Sequence, residues 1–359
     1  MRRRSFLKSG AALSALVAAA PIIPVARAQE QGWRSFEVTT RVELSGSVPA
    51  RAWLPVPTVN TDYQKVISNR FQSGGTANLT IDPRYGAGIL TAELNDAEKP
   101  FVELVTRFST RDRLVTPGKQ SDAPLGAAER RKYLSPTELL PLDGVVRQTA
   151  LEIVKPHRND QDRARAIYEW IVENTHRDSK VRGCGVGDIK TMLETRNLGG
   201  KCADLNALFV GLARAASIPA RDVYGIRVAD SRLGYKSLGK SGDISRAQHC
   251  RAEFYLEGTG WVPVDPADVR KVVLEENGGL PLGDAKVEAA RKRLFGSWEM
   301  NWLAYNYAHD VKLPGAVKGP VGFFMYPSGE ATEQGRITRL DSLDPDNFRY
   351  KIVSREIVA

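Results

Sequence analysis

The sequence predicts an α+β fold, a β-sandwich at the N-terminal end followed by a core of mixed helices and strands. Three observations lead there. Short alternating runs separated by turn residues fill residues 33–115, as sandwich strands do. Helical periodicity takes over at residues 145–154 and 162–175. Gly199-Gly200 then opens a further helix at Cys202, and the chain returns to strands at residues 223–228 and 248–256. With 359 residues there is room for two or three units of domain size.

Residues 1–28 read as a leader. Arg3-Arg4-Ser5-Phe6-Leu7-Lys8 precedes an apolar stretch at residues 11–20, and Ala26-Arg27-Ala28 supplies the small residues of a cleavage site. This is the pattern of a signal peptide, and the paired arginines followed by Phe-Leu-Lys read as a twin-arginine signal. A membrane anchor is the competing reading, but the apolar run is short and Pro21 and Pro24 interrupt it. The expectation is a periplasmic protein beginning near Gln29, with no stable membrane anchor after cleavage. Without Arg2, Arg3, Arg4, Lys8 and Arg27 the formal charge falls from +9 to +4, too little to indicate a nucleic-acid partner.

Residues 29–115 read as the sandwich. Residues 36–44 and 101–108 alternate, with shorter runs at 50–54, 65–71 and 89–94. Pro55 and Pro57 put the second strand at an edge or end it there. Residues 116–144, with Pro117, Pro124, Pro136 and Pro141, read as a linker over the surface. In the helix at residues 162–175, Ala166, Ile167, Trp170 and Ile171 form the apolar stripe. The glycine-rich loop at residues 182–188 is not a phosphate loop, because no Gly-Lys-Ser/Thr follows it. Asp188 or Thr191 caps a short helix containing Met192 and Leu193.

The stretch from Gly199 to Val228 organises the rest of the chain. Leu205, Leu208, Phe209 and Leu212 recur at helical spacing, so Cys202 opens a buried helix that Ile218-Pro219 stops. A thiol in a first helical turn feels unpaired N–H groups and the positive dipole end, which favour the thiolate. The same N–H groups suit an oxyanion. The alternative is a small buried hydrophobe. A polar loop at residues 229–246 leads to the strand at 248–256, a turn, and a return strand at 261–266. Neighbouring strand residues point to opposite faces, so His249 and Cys250 cannot both enter one cleft. Residues 286–294 read as a helix, 298–307 as an aromatic-rich helix, and 323–327 and 348–353 as late strands.

Cys202, His249 and Asp265 follow in order with gaps of 47 and 16 residues. Acyl transfer by a thiol needs a thiolate, an imidazole that holds and shuttles the proton, and an acceptor that orients the imidazole. These residues resemble the transglutaminase-like superfamily. Gly-Gly-Lys-Cys202-Ala-Asp-Leu-Asn-Ala-Leu-Phe-Val, then Arg214-Ala-Ala-Ser-Ile-Pro-Ala-Arg221, is similar to its cysteine helix and following strand. His249 with Glu253, then Gly260-Trp261-Val-Pro-Val-Asp265-Pro266, is similar to its His and Asp strands. The resemblance implies a papain-related α+β core over residues 145–275, with the cysteine helix packed on an antiparallel sheet. It implies Cys202 as nucleophile, His249 as general base and acid, and Asp265 as the orienting partner. Residues 276–359 are then an extension packed on the core.

Two positions depart from the family pattern. Arg251 stands where many members carry an aromatic residue, either in the cleft wall or facing solvent. No Gln, Trp or Tyr between Ile171 and Lys201 supplies a second oxyanion donor; Asn197 fits a turn better. Other polar residues take plainer roles: His157 and His176 as solvated or capping groups, and Asp204 and Arg221 in an ion pair or turn support. His309 follows the aromatic-rich stretch without a motif. Cys184 and Cys250 are expected near each other behind the site, leaving Cys202 free.

The expected activity is hydrolysis of a peptide or protein amide through a Cys202 thioester, with no cofactor. Protein-glutamine transglutaminase and a non-catalytic binding module on the same fold are the alternatives. A metal site of Cys202, His249, Cys250 and Asp265 lacks Cys-x-x-Cys or His-x-x-x-His spacing. Arg232, Lys236 and Lys240 make the 229–246 loop a hydrated lid that repels a protonated amine and favours a carboxylate-bearing substrate.

Overall fold

Alternation makes the first strands. In β1 (Arg34–Glu43), Phe36, Val38 and Val42 are buried and the residues between them are half-buried, except Thr40. The computed structural model describes residues 32–44, 50–94, 100–116 and 124–357; the leader and its cleavage site lie outside them. β2 (Ala50–Val56), β3 (Gln64–Ser73), β4 (Thr76–Ile81), β5 (Gly88–Glu93) and β6 (Phe101–Thr110) follow. The helices α1 (Ala127–Tyr133), α2 (Gly144–Val154), α3 (Asp160–Asn174), α4 (Ile189–Thr195) and α5 (Cys202–Ala215) come next. Then come β7 (Ala220–Arg227), β8 (Gln248–Leu256), β9 (Gly260–Val264), α6 (Pro266–Glu275) and α7 (Ala285–Arg293). The chain ends with β10 (Trp302–Asn306), β11 (Ser328–Glu333), β12 (Arg336–Arg339) and β13 (Tyr350–Ile357).

The sandwich has two antiparallel sheets. One runs β13-β1-β6-β3, with a short Gly242–Asp243 ladder outside β13; the other runs β12-β11-β2-β5-β4. Phe36, Val38, Leu104 and Phe108 of the first share a buried cluster with Leu54, Leu90 and Ala92 of the second. β11 pairs with β2 only from Ala50 to Trp53, so Pro55 stands beyond that pairing, where its missing N–H costs no ladder bond.

Two expectations for the ends of the chain need correction. The sandwich is not confined to residues 29–115, because β11, β12 and β13 complete its sheets. Hence residues 276–359 are only partly an extension of the core. The aromatic-rich stretch at residues 298–307 is extended: β10 is an edge strand of the core sheet, ordered β9-β8-β7-β10. The linker also contains α1, whose Tyr133 is buried edge-on against Trp261 at 5.0 Å.

α5 is the element around which the core closes. Every one of its residues is buried, because β8, α2 and α3 pack around it. Its end is a Schellman motif. The Ile218 N–H reaches the Ala213 carbonyl and the Ser217 N–H that of Arg214, both at 2.9 Å, with Ser217 at φ +67°. Pro219 then prevents continuation. At α4 it is Asp188 that caps, accepting the Thr191 N–H at 3.0 Å.

Candidate active site

Lys201 is the N-cap of α5 and Cys202 its first helical residue. Asp204 accepts the Lys201 N–H at 2.9 Å through Oδ2, and those of Val186 and Gly187 at 2.9 and 2.8 Å through Oδ1. This carboxylate ties the glycine-rich loop to the start of α5. Gly185 lies against it at φ +93°, where a Cβ would overlap the Asp204 oxygens. The Cys184 carbonyl takes the Ala203 N–H at 2.8 Å, while the Cys202 N–H has no acceptor among the described residues.

His249 lies on β8 opposite Gly225 of β7, and its carbonyl accepts Trp302 Nε1 at 3.0 Å. Its Nε2 is 2.7 Å from Asp265 Oδ2 and 3.4 Å from Asp268 Oδ2. That leaves Nδ1 as the nitrogen available to Cys202. Asp265 ends β9 and caps α6, its Oδ1 accepting from the Asp268 N–H at 3.0 Å and from Asn206 Nδ2 at 3.2 Å. Arg227 Nη2 donates to both Asp268 oxygens at 2.6 and 2.8 Å.

The charges follow from this packing. Burial opposes a Cys202 thiolate, but the adjoining Cys184 and Cys250 thiols and His249 outweigh it and hold the thiol well below its usual range. Hydrogen bonding to Cys202 pushes Cys184 up, and burial pushes Cys250 up, so those two keep their protons. For His249, burial and Arg227 oppose the imidazolium; Asp268 and Asp265 prevail and raise it to about 9. Burial raises Asp265, whereas Arg227 and His249 overcome burial at Asp268 and hold it well below the usual carboxylate range. The arrangement favours a thiolate–imidazolium pair.

Cys202 and His249 line a cavity of about 960 Å³ that also reaches Cys184 and Tyr326. Asp265 is fully buried behind His249. Cys250 does not line the cavity, as strand parity requires, but its sulfur and those of Cys184 and Cys202 lie within 4.8 Å of one another. All three are free thiols. Cys184 and Cys250 thus lie near each other as expected, but not behind the site: Cys184 is on the cavity wall, and the two form one cluster of free thiols with Cys202. The suggested metal set splits, with Cys202 and Cys250 in the thiol cluster and His249 and Asp265 beside Asp268.

A family model described as the transglutaminase-like superfamily matches residues 147–266, the span that contains all three candidate residues. An uncharacterized protein of Haemophilus influenzae is 38% identical over 323 residues, which make up 85% of this chain and 86% of that one. The chain belongs to the transglutaminase-like superfamily. Its fold is similar to the crystal structure of a candidate cysteine protease from Cytophaga hutchinsonii: TM-score 0.56, 14% identity, 91% of this chain and 92% of that one. The periplasmic domain of TgpA from Pseudomonas aeruginosa aligns over 72% of this chain and 92% of its own, with 15% identity and a TM-score of 0.38.

In this transglutaminase-like chain Arg251 is neither cleft wall nor solvent-facing. It is 3% exposed, with its guanidinium 4.6 Å from the Trp302 ring centre and Nε 3.7 Å from Asp265. Burial lowers it to about 10. His309 does not reach the cavity; its Nε2 lies 3.1 Å from Asp222. Arg221 pairs with Glu253 at 2.5 Å, and Asn197 is an exposed turn residue. Of the basic loop residues, Lys240 lines the cavity and Arg232 and Lys236 do not.

Sequence reasoning missed Asp268, Arg227 and Tyr326. Asp265-Pro266-x-Asp268 carries a helix-start signal, N-cap, proline and acidic third residue, that would have placed Asp268 beside Asp265. Tyr326 had no local signal. Its hydroxyl accepts the Cys184 N–H at 3.0 Å and also hydrogen-bonds the Cys184 sulfur, from which its proton would have to turn to meet an oxyanion in the cavity.

Proposed function

We propose that this protein hydrolyses an amide through a thioester on Cys202. The observation that carries the reading is His249, bound through Nε2 to Asp265, lining one cavity with a thiol held well below its usual range. The Cys202 thiolate attacks the amide carbonyl carbon. The oxyanion takes the Cys202 N–H and the Tyr326 O–H. The amine leaves with the proton of the His249 imidazolium. Water then attacks the thioester while neutral His249 takes a proton, releasing the acid and restoring the ion pair.

Hydrolysis is favoured over amine transfer by the cavity lining, where seven Lys and Arg side chains face two aspartates and oppose a protonated amine. Arg251 contributes nothing to that preference, since it is buried behind the site. The test supplies a glutamine-containing peptide with a millimolar primary amine and compares free acid with amide adduct. Free acid in excess, absent in Cys202→Ala, is expected; predominance of adduct would move the protein to the transglutaminase reading. The same proposal takes the mature chain outside the cytoplasm, on the Arg3-Arg4 leader. Cell fractionation of wild type against a variant carrying Arg3→Lys and Arg4→Lys tests it, with retention of the variant expected.

A further inference from the structure

The cations of the cavity are not evenly matched with anions. Arg246 and Lys351, 69% and 67% exposed, face Asp346 and Asp243 on the rim, where water screens them. Arg227 is committed to Asp268. Lys240 faces Asp243 as well. The remaining excess gathers beside Cys202. Arg177 pairs in a parallel ladder with Gly200, next to Lys201 and therefore next to Cys202. Arg177 Nε holds Glu275 of α6 at 2.5 Å, and Lys271, one turn earlier on α6, lies 3.6 Å from the other Glu275 oxygen. Lys201 has no ion-pair partner among the described residues. Three cations here stand against one carboxylate, which two of them share. Two of them, Arg177 and Lys271, are only 12% and 18% exposed, so screening is weaker than on the rim.

We infer that Arg177, Lys201 and Lys271 form a carboxylate subsite beside the reacting thiol. The substrate class is an acyl donor carrying a carboxylate next to the amide that is cleaved. Glu275, just outside the lining, shows one carboxylate already held between this guanidinium and this ammonium; a second would cut the excess from two charges to one. The source is an acidic side chain or a free C-terminal carboxylate. This inference rests on the hydrolase reading for its site, and binding alone tests it.

The experiment measures binding to full-length Cys202→Ala by calorimetry. Four peptides of one backbone sequence are used: acidic or neutral side chain, each with a free or amidated C-terminus. Carboxylated peptides should bind at least roughly tenfold tighter than the neutral amidated one, a charge-assisted contact's worth. Which of the two carboxylates carries the gain names the source. Adding Lys271→Gln or Lys201→Gln should shrink that ratio toward one, and Lys271→Arg should preserve it, with melting curves confirming that each variant folds. Equal binding of all four peptides, no binding of any, or a ratio unchanged in both Gln variants overturns the subsite. Wild-type protein with the same peptides reports the chemistry separately. Binding without release of acid and amine sinks the hydrolase reading and spares the subsite; cleavage without carboxylate preference does the reverse.

Discussion

At the scale of single residues, the site is a proton network shared by Cys202, His249 and two carboxylates. An imidazolium held up to about 9 is lost as pH rises through that value. A thiolate held down is lost as pH falls through its lowered value. The active ion pair lives between the two, so kcat/KM should be bell-shaped with its alkaline limb near pH 9. A profile still rising above that limb would contradict the assignment. Asp265→Asn should move the limb to lower pH, because it removes a negative charge beside the imidazolium while an Asn still caps α6. Asp268→Asn is different: it strands the buried Arg227 and should cost about 3–5 kcal/mol of stability in urea unfolding. Tyr326→Phe should lower the rate of acylation roughly a hundredfold. Alkylation of Cys202 by iodoacetamide forms no oxyanion, so its rate should hardly change; equal losses in both would mean that Tyr326 only supports the fold.

At the scale of elements, what is legible in the sequence is local. α5 and β8 announce themselves through short-range spacing, so spacing alone sets Cys202 on a helix start and His249 on a strand. α6 is hidden although Asp265-Pro266 marks its start, because the same residues read as the end of a strand. β10 reads as a helix since Trp298, Trp302 and Tyr305 recur at helical spacing. In the structure Trp302 lies on the Arg251 guanidinium and Trp298 packs edge-on against Trp302 at 5.6 Å, contacts that periodicity does not encode. The end of α5 gives a clean test of local geometry. Ser217 closes the Schellman motif at φ +67°, a region that costs a residue with a Cβ about 1 kcal/mol. Ser217→Gly should therefore raise the urea midpoint with an unchanged slope, and a lower midpoint would show that another contact holds Ser217 in place.

At the scale of the whole molecule, the first and last strands of the described residues meet. β13 pairs with β1 from Ser35↔Ile357 to Val42↔Tyr350, and Arg34 binds Glu356 at 2.7 Å. Pairing across more than 300 residues leaves no trace in local alternation, which is why residues 348–353 read as a strand without a home. β13 also builds the site. Tyr350 and Lys351 line the cavity, the Ile352 carbonyl accepts the Ile244 N–H at 2.9 Å, and Ser354 Oγ donates to the Val228 carbonyl at 2.7 Å. The sandwich thus holds one wall of the cavity against β7 and the loop that follows it. Ending the chain after Asp341 should disable the protein even though Cys202, His249 and Asp265 remain. It removes Phe348, Tyr350 and Ile352, all at most 5% exposed. Each buried side chain of this size is worth about 1.5–3 kcal/mol, so the loss is roughly 5–9 kcal/mol, comparable to the net stability of about 5–15 kcal/mol of a typical domain. Calorimetry should find no cooperative transition in the truncated chain, whereas Ile352→Ala alone should leave one, lowered by about 2–5 kcal/mol. A truncated chain that melts like the full one would show that the transglutaminase-like core stands without the strand, and that the sandwich is not what holds the cavity open.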